Sequence, residues 1–276
     1  MNPKKFNILS QDTNPIEDDN KTKPVISDFS SLSLREIIKL TFPLLNPSKP
    51  LVTLVNPTKN KPSLLEKTKA KNRNPDHYPS VTSILSATMS VNARRALDRW
   101  KENKIAELGL DGFLAMNKDN LAKGREFHTA IGNALMHIGN GSEFSPQIQN
   151  CLKSVSHVIS RITKVHALES QVVHQVLQYH GYVDCICDFG TKTNIAVDWK
   201  KSDKKKPTID QTYDAPLQVA AYMGAINYDK TFHFPVTTGV VVVVYDDGSP
   251  ANVFRVGPEY WNQWYKRYQA FQFMEN

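Results

Sequence analysis

The spacing of hydrophobic and polar residues predicts a β-hairpin over residues 181–200. Two runs containing Val and Ile flank a short, glycine-containing turn at residues 189–192. Side chains alternate along a strand, so Asp198 and Lys200 share one face of the second strand. The apolar residues on the other face of that strand suit a hydrophobic core: Ile195, Val197 and Trp199.

The first strand of the hairpin contributes a second acid, Asp184. The alternation places its neighbours Val183 and Cys185 on the opposite face, so Asp184, Asp198 and Lys200 are predicted to converge on one side. Two adjacent carboxylates repel each other. A divalent cation such as Mg²⁺ or Mn²⁺ removes that repulsion and leaves room for water and a substrate phosphate. The alternative is a salt-bridged surface hairpin.

The rest of the pattern predicts helices before the hairpin and a mixture of helices and strands after it. Before the hairpin we predict a helix that starts near residues 78–85, helices at 91–107, 121–138 and 146–162, and a strand at 165–176. After it we predict a helix at 215–227, strands at 238–245 and 251–256, and a helix at 259–273. In the helix at 91–107, we expect Ala96, Trp100 and Ile105 to face inward.

The first 74 residues are rich in Asn, Lys, Pro and Ser and are predicted to be poorly structured, apart from one helix at about 33–42. The basic stretch 59–73 is either a solvated linker or an arm that contacts phosphates. No hydrophobic signal peptide is visible. The first 34 residues contain acids and no Arg, so they do not read as a mitochondrial presequence.

Composition narrows the class of protein. The chain has 276 residues, of which 40% are hydrophobic, and it contains no run of about 18 apolar residues, so no membrane span is expected. The net charge of +7 fits a polyanionic partner without establishing one. Its three cysteines show no zinc-type spacing, which argues against a four-cysteine iron–sulfur cluster and suggests a reducing compartment.

Several further residues are candidates for the site, each with a structural alternative. Ser80 either caps a helix or helps its free N–H groups hold a phosphate. His128 is either a core histidine or a metal ligand or phosphate contact. Glu169 is either a third acid or a surface partner for a lysine. Gln218 and Tyr222 are four residues apart on one helix, where they form a surface pair or contact the substrate.

A basic cluster at residues 201–206 directly follows the strand that carries Asp198 and Lys200. It could hold a nucleic-acid backbone close to the site.

Four motifs resemble those of the PD-(D/E)XK nucleases, and more narrowly of their RecB-type branch, both in their order along the chain and in the types of element that carry them. They are His128 after Gly124, the GxxD of 181–184, the DxK of 198–200 and the QxxxY of 218–222. The segments GREFH, GYVDC and VDWKKS resemble the mitochondrial genome maintenance exonuclease 1 family in particular. The resemblance runs from Tyr78 to the C-terminus.

The resemblance implies an α/β, restriction-endonuclease-like core at residues 75–276, with a mixed central β-sheet flanked by helices and a helical N-terminal wall. It implies that Mg²⁺, for which Mn²⁺ can substitute, is held by Asp184, Asp198, His128 and the backbone carbonyl of Trp199. Lys200 would position the attacking water. The expected substrate contacts are Gln218, Tyr222, Ser80 and Lys201, with Glu169 as a weaker addition to the site.

The implied activity is that of a metal-dependent exonuclease that degrades single-stranded DNA, flaps included, from free ends. The implied setting is mitochondrial DNA maintenance and the processing of replication intermediates. It would be monomeric and work with mitochondrial replication enzymes. The alternatives are a catalytically inactive single-stranded DNA-binding protein and a nuclear RecB-like nuclease that acts with a separate helicase. Two departures from the family stand out: Lys201 follows the DxK lysine where a small residue is common, and no import signal is visible.

Overall fold

A computed structural model of the chain describes residues 44–46, 48–49, 78–139 and 141–275. The helices are α1 (Val81–Ala87), α2 (Val91–Leu135), α3 (Pro146–Ile159), α4 (Ala215–Tyr228) and α5 (Trp261–Glu275). The strands are β1 (Ile162–His174), β2 (Tyr179–Phe189), β3 (Lys192–Ser202), β4 (Gly239–Tyr245) and β5 (Asn252–Val256). The predicted helix at 33–42 and the basic stretch 59–73 lie outside the described residues.

The five strands form one sheet in the order β1-β2-β3-β4-β5. Neighbouring strands are antiparallel except β3 and β4, which are parallel. A parallel pair needs a crossover connection, and α4 lies in the segment that joins β3 to β4. This architecture confirms the predicted fold class, a mixed sheet flanked by helices as in a PD-(D/E)XK-like nuclease core.

Each face of the sheet packs against its own hydrophobic core. The first core joins α1, α4 and α5 to one face and contains, among others, Val81, Tyr179, Val183, Tyr222 and Trp264. The second core joins the last turns of α2 and all of α3 to the other face and contains Phe127, Ile131, Cys185, Val197 and Trp199, among others. The Asp198–Lys200 face of β3 therefore looks toward α4, as the alternation of Ile195, Val197 and Trp199 predicts.

Helix α2 differs from the sequence prediction. The two helices predicted at 91–107 and 121–138 are one 45-residue element that breaks at Gly109, whose φ of 70° and ψ of 167° are not helical. Trp100 and Ile105 are exposed rather than inward, so that prediction is wrong. The reason is that only the last turns of α2 reach the sheet; before the break, Trp100 instead contacts the ring of Phe113, at 6.2 Å between centroids.

A short segment ahead of residue 75 contributes to the first core. Leu44 and Leu45 are buried. The side chain of Asn227 in α4 donates to the backbone oxygen of Leu44 at 2.9 Å, and Lys49 Nζ donates to the carbonyls of Ile226 and Asp229 at 2.7 and 2.9 Å. This segment is therefore fixed to the C-terminal end of α4. None of the described helices is long and apolar enough to cross a membrane.

Candidate functional site

The hairpin of β2 and β3 brings Asp184 and Asp198 together. Cys185 pairs with Val197, so the next position places the two aspartates directly across from each other. Asp198 is almost completely buried, at 1% exposure. The backbone N–H of Trp199 donates to Asp184 Oδ2 at 2.8 Å, which fixes one oxygen of that carboxylate.

The side-chain alternation of β2 changes phase at Asp184. Val183 packs in the first core and Cys185 in the second, although they are two residues apart, so the prediction that they share a face is wrong. On the neighbouring strand β1, Leu168 pairs with Cys185 and Ser170 pairs with Val183. Glu169 therefore lies across from Asp184, and its φ is 43°. A left-handed backbone in a non-glycine strand residue is uncommon, and here it lies beside the two aspartates.

Helix α2 adds a histidine to the two strands. His128 Nδ1 lies 3.1 Å from Glu169 Oε1 and 3.7 Å from Asp184 Oδ1. Ligand atoms of His128, Glu169 and Asp184 all lie within 4.8 Å of one another. The structure thus places His128 and Glu169 at the site, where the sequence left each with a structural alternative.

A hydrogen-bonded chain connects the acids to α4. Lys200 Nζ donates to Asp198 Oδ1 and to Gln218 Oε1, both at 3.0 Å. Gln218 Nε2 in turn donates to the hydroxyl of Tyr222 at 2.6 Å. The two residues of the QxxxY motif therefore hold the lysine from the helix side rather than forming a surface pair.

The ring of Tyr222 rests directly on the backbone of β2 at Gly181. A Cβ added at this glycine would clash with Tyr222 Cε1 and would meet Cδ1 at 3.0 Å and Val81 Cγ2 at 3.3 Å. Only glycine leaves space for α4 at this distance. The glycine of the GxxD motif thus contributes to the site by letting α4 pack closely against β2.

Burial and neighbouring charges shift the pKa values in this group. Burial and the nearby charge of Asp198 raise the pKa of Asp184 to about 7. Burial also raises the pKa of Asp198, against the opposing charge of Lys200. Although burial lowers it, the pKa of Lys200 is raised overall because Asp198 stabilises its charge. For His128 burial again opposes the shift, and the hydrogen bond with Glu169 raises the pKa.

The residues present fit a divalent cation. Three carboxylates face one lysine, and the charges of the adjacent Asp184 and Asp198 repel each other. Lys200 Nζ lies 2.9 Å from Asp198 Oδ2 without hydrogen-bond geometry, so this buried oxygen has no hydrogen-bond donor among the described residues. Carboxylate oxygens and one imidazole nitrogen are donors that Mg²⁺ and Mn²⁺ accept. Asp184, Asp198, His128 and Glu169 could hold such an ion.

Two of the residues predicted from the sequence, Ser80 and Lys201, do not make contacts within this group in the structure. Ser80 caps α1, and its hydroxyl accepts from the N–H of Ser83 at 3.0 Å. Lys201 lies on the opposite face from Lys200, with Nζ 3.6 Å from Asp246 Oδ2. For Trp199 the structure shows the N–H bonded to Asp184, while the role predicted for its carbonyl stays a prediction. That N–H contact was missed because the sequence carries no signal for a backbone donor.

Comparison with known proteins identifies three relatives that share one name. The chain is 42% identical over 199 residues to the mitochondrial genome maintenance exonuclease 1 of Mus musculus, a match that covers 70% of this chain and 58% of the relative. The proteins of the same name from Xenopus tropicalis and Homo sapiens are 40% and 39% identical over 199 residues, covering 57% and 58% of their lengths. These relatives support assigning the chain to the mitochondrial genome maintenance exonuclease 1 family. No family model matches this chain.

The three relatives confirm the resemblance drawn from the motifs. The matched region spans 57–58% of the length of these exonuclease 1 relatives, which the chain therefore covers only in part.

Proposed function

We propose that this chain is a divalent-metal-dependent exonuclease that hydrolyses phosphodiester bonds of single-stranded DNA, flaps included, from free ends. The observation that carries the proposal is the pair of adjacent carboxylates, Asp184 and the buried Asp198, beside a lysine that is held on its other side by Gln218. The names of the relatives support exonuclease activity on DNA. They also support a mitochondrial location and a role in maintaining the mitochondrial genome.

Each residue has a distinct task in this proposal. Asp184, Asp198 and His128 hold Mg²⁺ or Mn²⁺, with Glu169 orienting His128 and the carbonyl of Trp199 as a further ligand. A bound divalent ion would stabilise the negative charge that develops on the attacked phosphate. Lys200 positions the attacking water through its ammonium group. Gln218 keeps the ammonium aimed at the acids by accepting a hydrogen bond from it, and Tyr222 fixes the amide of Gln218.

The substrate part of the proposal rests on charge and shape. The chain is basic overall, with a net charge of +7. The last turns of α2 lie over the strands that carry the acids, with His128 at the contact. In a basic protein, a site that a helix covers on one side suits a flexible single strand better than a rigid duplex. Action on flaps and in replication intermediates follows from the same preference.

A cleavage assay tests the proposal. End-labelled linear single-stranded DNA, the matching duplex and a circular single strand are incubated with Mg²⁺ or Mn²⁺. We expect loss of the linear single strand alone and complete inhibition by EDTA. Lys200→Ala should lower kcat by at least about 100-fold, because the ammonium group orients the reacting water.

The control variant is Lys192→Ala. Lys192 is an exposed lysine at the start of the same strand, about 26 Å from Lys200 by strand rise. The Lys192→Ala variant should cleave DNA like the wild type. Cleavage of the circle would instead identify an endonuclease, and tight binding without cleavage in either metal would favour a single-stranded DNA-binding protein.

A further inference from the structure

Tyr213 is an exposed aromatic residue in an unfavourable backbone conformation. Its φ of 56° and ψ of −125°, followed by −81° and 2° at Asp214, are those of a type II′ turn. Glycine is the usual residue at the first central position of this turn. A tyrosine here is strained, and the residue is 82% exposed, so burial of the ring does not compensate for the strain. Strain of this kind points to a role outside folding.

The turn is held firmly on both sides of Tyr213. Thr212 is buried, and its hydroxyl donates to the carbonyl of Ile209 at 2.6 Å. The carboxylate of Asp214 accepts from both terminal nitrogens of Arg267 at 3.3 Å. The ring of Tyr213 is therefore presented to solvent from a fixed backbone.

One face of the ring is covered by a cation. Lys206 Nζ lies 4.6 Å from the ring centroid and donates to the carbonyl of Gln211 at 2.8 Å. Among the described residues Lys206 makes no ion pair, whereas the adjacent Lys205 is paired with Asp247 at 2.8 Å. An aromatic ring with an unpaired lysine beside it offers a stacking surface for a base and a charge for a phosphate.

The position of Tyr213 connects this surface to the site. Asp214, the next residue, accepts at its carbonyl from the N–H of Gln218 at 2.9 Å. Gln218 is the residue that holds Lys200. Asp214 and Gln218 are separated by four residues of helical rise, about 6 Å. A DNA strand whose phosphate lies at Lys200 would thus place a nearby base at Tyr213.

We propose that Tyr213 and Lys206 form a base-stacking platform that holds a nucleotide of the single-stranded substrate beside the metal site. This inference rests on the proposed function. It assigns a substrate-binding residue that no motif of the sequence indicates.

The test compares three forms of the full chain: wild type, Tyr213→Phe and Tyr213→Gly. Binding is measured in EDTA, where no metal-dependent cleavage occurs, with single-stranded oligonucleotides that carry 2-aminopurine at successive positions. Wild type and Tyr213→Phe should bind alike and quench the fluorescence at one position, since both have a ring. Tyr213→Gly should lose that quenching and bind about 10-fold more weakly.

Thermal melting separates this role from a structural one. Tyr213→Gly relieves the strained turn, so its melting temperature should equal or exceed that of the wild type. A lower melting temperature together with unchanged binding would overturn the platform. So would retained quenching in Tyr213→Gly while the wild type degrades single strands in Mg²⁺, and that result would leave the proposed exonuclease standing. A wild type that neither binds nor degrades single-stranded DNA would overturn both.

A pair of lysine variants tests the charge. Lys206→Gln should reduce the salt dependence of binding by about one unit of slope. Lys205→Gln should reduce it less, because Lys205 is already neutralised by Asp247. Equal effects of the two variants would contradict the part assigned to Lys206.

Discussion

Asp184 is a partly buried carboxyl next to a second carboxyl, and both its burial and the charge of Asp198 raise its pKa from 3.8 to about 7. The folded protein without a metal therefore retains a proton on Asp184 that the unfolded chain releases near pH 4. The stabilisation from this proton is complete below pH 4 and is lost as the pH rises through 7.

The substitution Asp184→Asn removes the ionisable group and, with it, this loss of stability at high pH. In EDTA at pH 8, we expect the variant to unfold at a higher temperature than the wild type, by roughly 2–4 °C for each ~1 kcal/mol gained. The difference should shrink as the pH is lowered toward 4. Mg²⁺ or Mn²⁺ should raise the melting temperature of the wild type only, because the variant lacks one metal-binding carboxylate. Differential scanning fluorimetry across pH measures both effects, and a variant that melts below the wild type at pH 8 contradicts them.

At the scale of elements, the contact between α4 and β2 fixes the distance between the polar residues of the helix and the acids of the strands. Gly181 is the point of closest approach, under the ring of Tyr222. Any side chain at this position must push α4 away from the sheet, and the hydrogen bonds from Tyr222 through Gln218 to Lys200 would lengthen.

Gly181→Ala should therefore destabilise the protein by about 1–3 kcal/mol and lower nuclease activity by more than the loss of folded protein explains. Denaturant unfolding and kcat/KM measure the two effects. Gly132→Ala is the matched control: it lies within α2, and an added Cβ meets nothing within 4 Å. It should be neutral or stabilising by up to about 1 kcal/mol. Equal behaviour of the two variants would contradict the packing argument.

At the scale of the whole molecule, the first core includes residues distant in sequence from the nuclease motifs. Leu44 is fully buried and lies more than 170 positions before α4, against whose C-terminal end it is held by Asn227. The fold around the site therefore depends on a segment that the predicted domain at 75–276 leaves out.

Leu44→Ala should cost about 2–4 kcal/mol, the usual loss for a buried leucine. A chain that starts at residue 75 should be destabilised at least as much. Leu121→Ala, at a position that is 64% exposed in α2, should change stability by less than about 0.5 kcal/mol. Urea unfolding compares the three. A chain from residue 75 that is as stable as the full chain would show that this contact adds nothing.

Sequence alone predicted the parts of the site that depend on local periodicity. The alternation in β3 placed Asp198 and Lys200 together, and the four-residue spacing in α4 placed Gln218 with Tyr222. The long-range contacts could not be predicted in this way. Periodicity does not tell which helix crosses a strand, so the contact between His128 and Glu169 stayed open. The phase change at Asp184 interrupts the very pattern from which a strand is read.

The exposed part of α2 shows that periodicity can also predict a buried face where the structure has none. Apolar residues at helical spacing predicted a buried face for Trp100 and Ile105, but periodicity carries no information on whether another element covers the helix. Tyr213 was missed for a related reason, since a strained turn is a property of backbone angles. Leu44 was missed because the composition around it favours disorder.

Helix α4 is buried along its whole length except at Gln218. A helix enclosed in this way cannot shift without disrupting the core, so the groups that hold Lys200 stand in place before any DNA arrives. The orientation of the reacting groups is thus established once, during folding, and need not be regained in each turnover. Adaptation to the strand falls to the parts of the protein that are not enclosed, chief among them the exposed portion of α2.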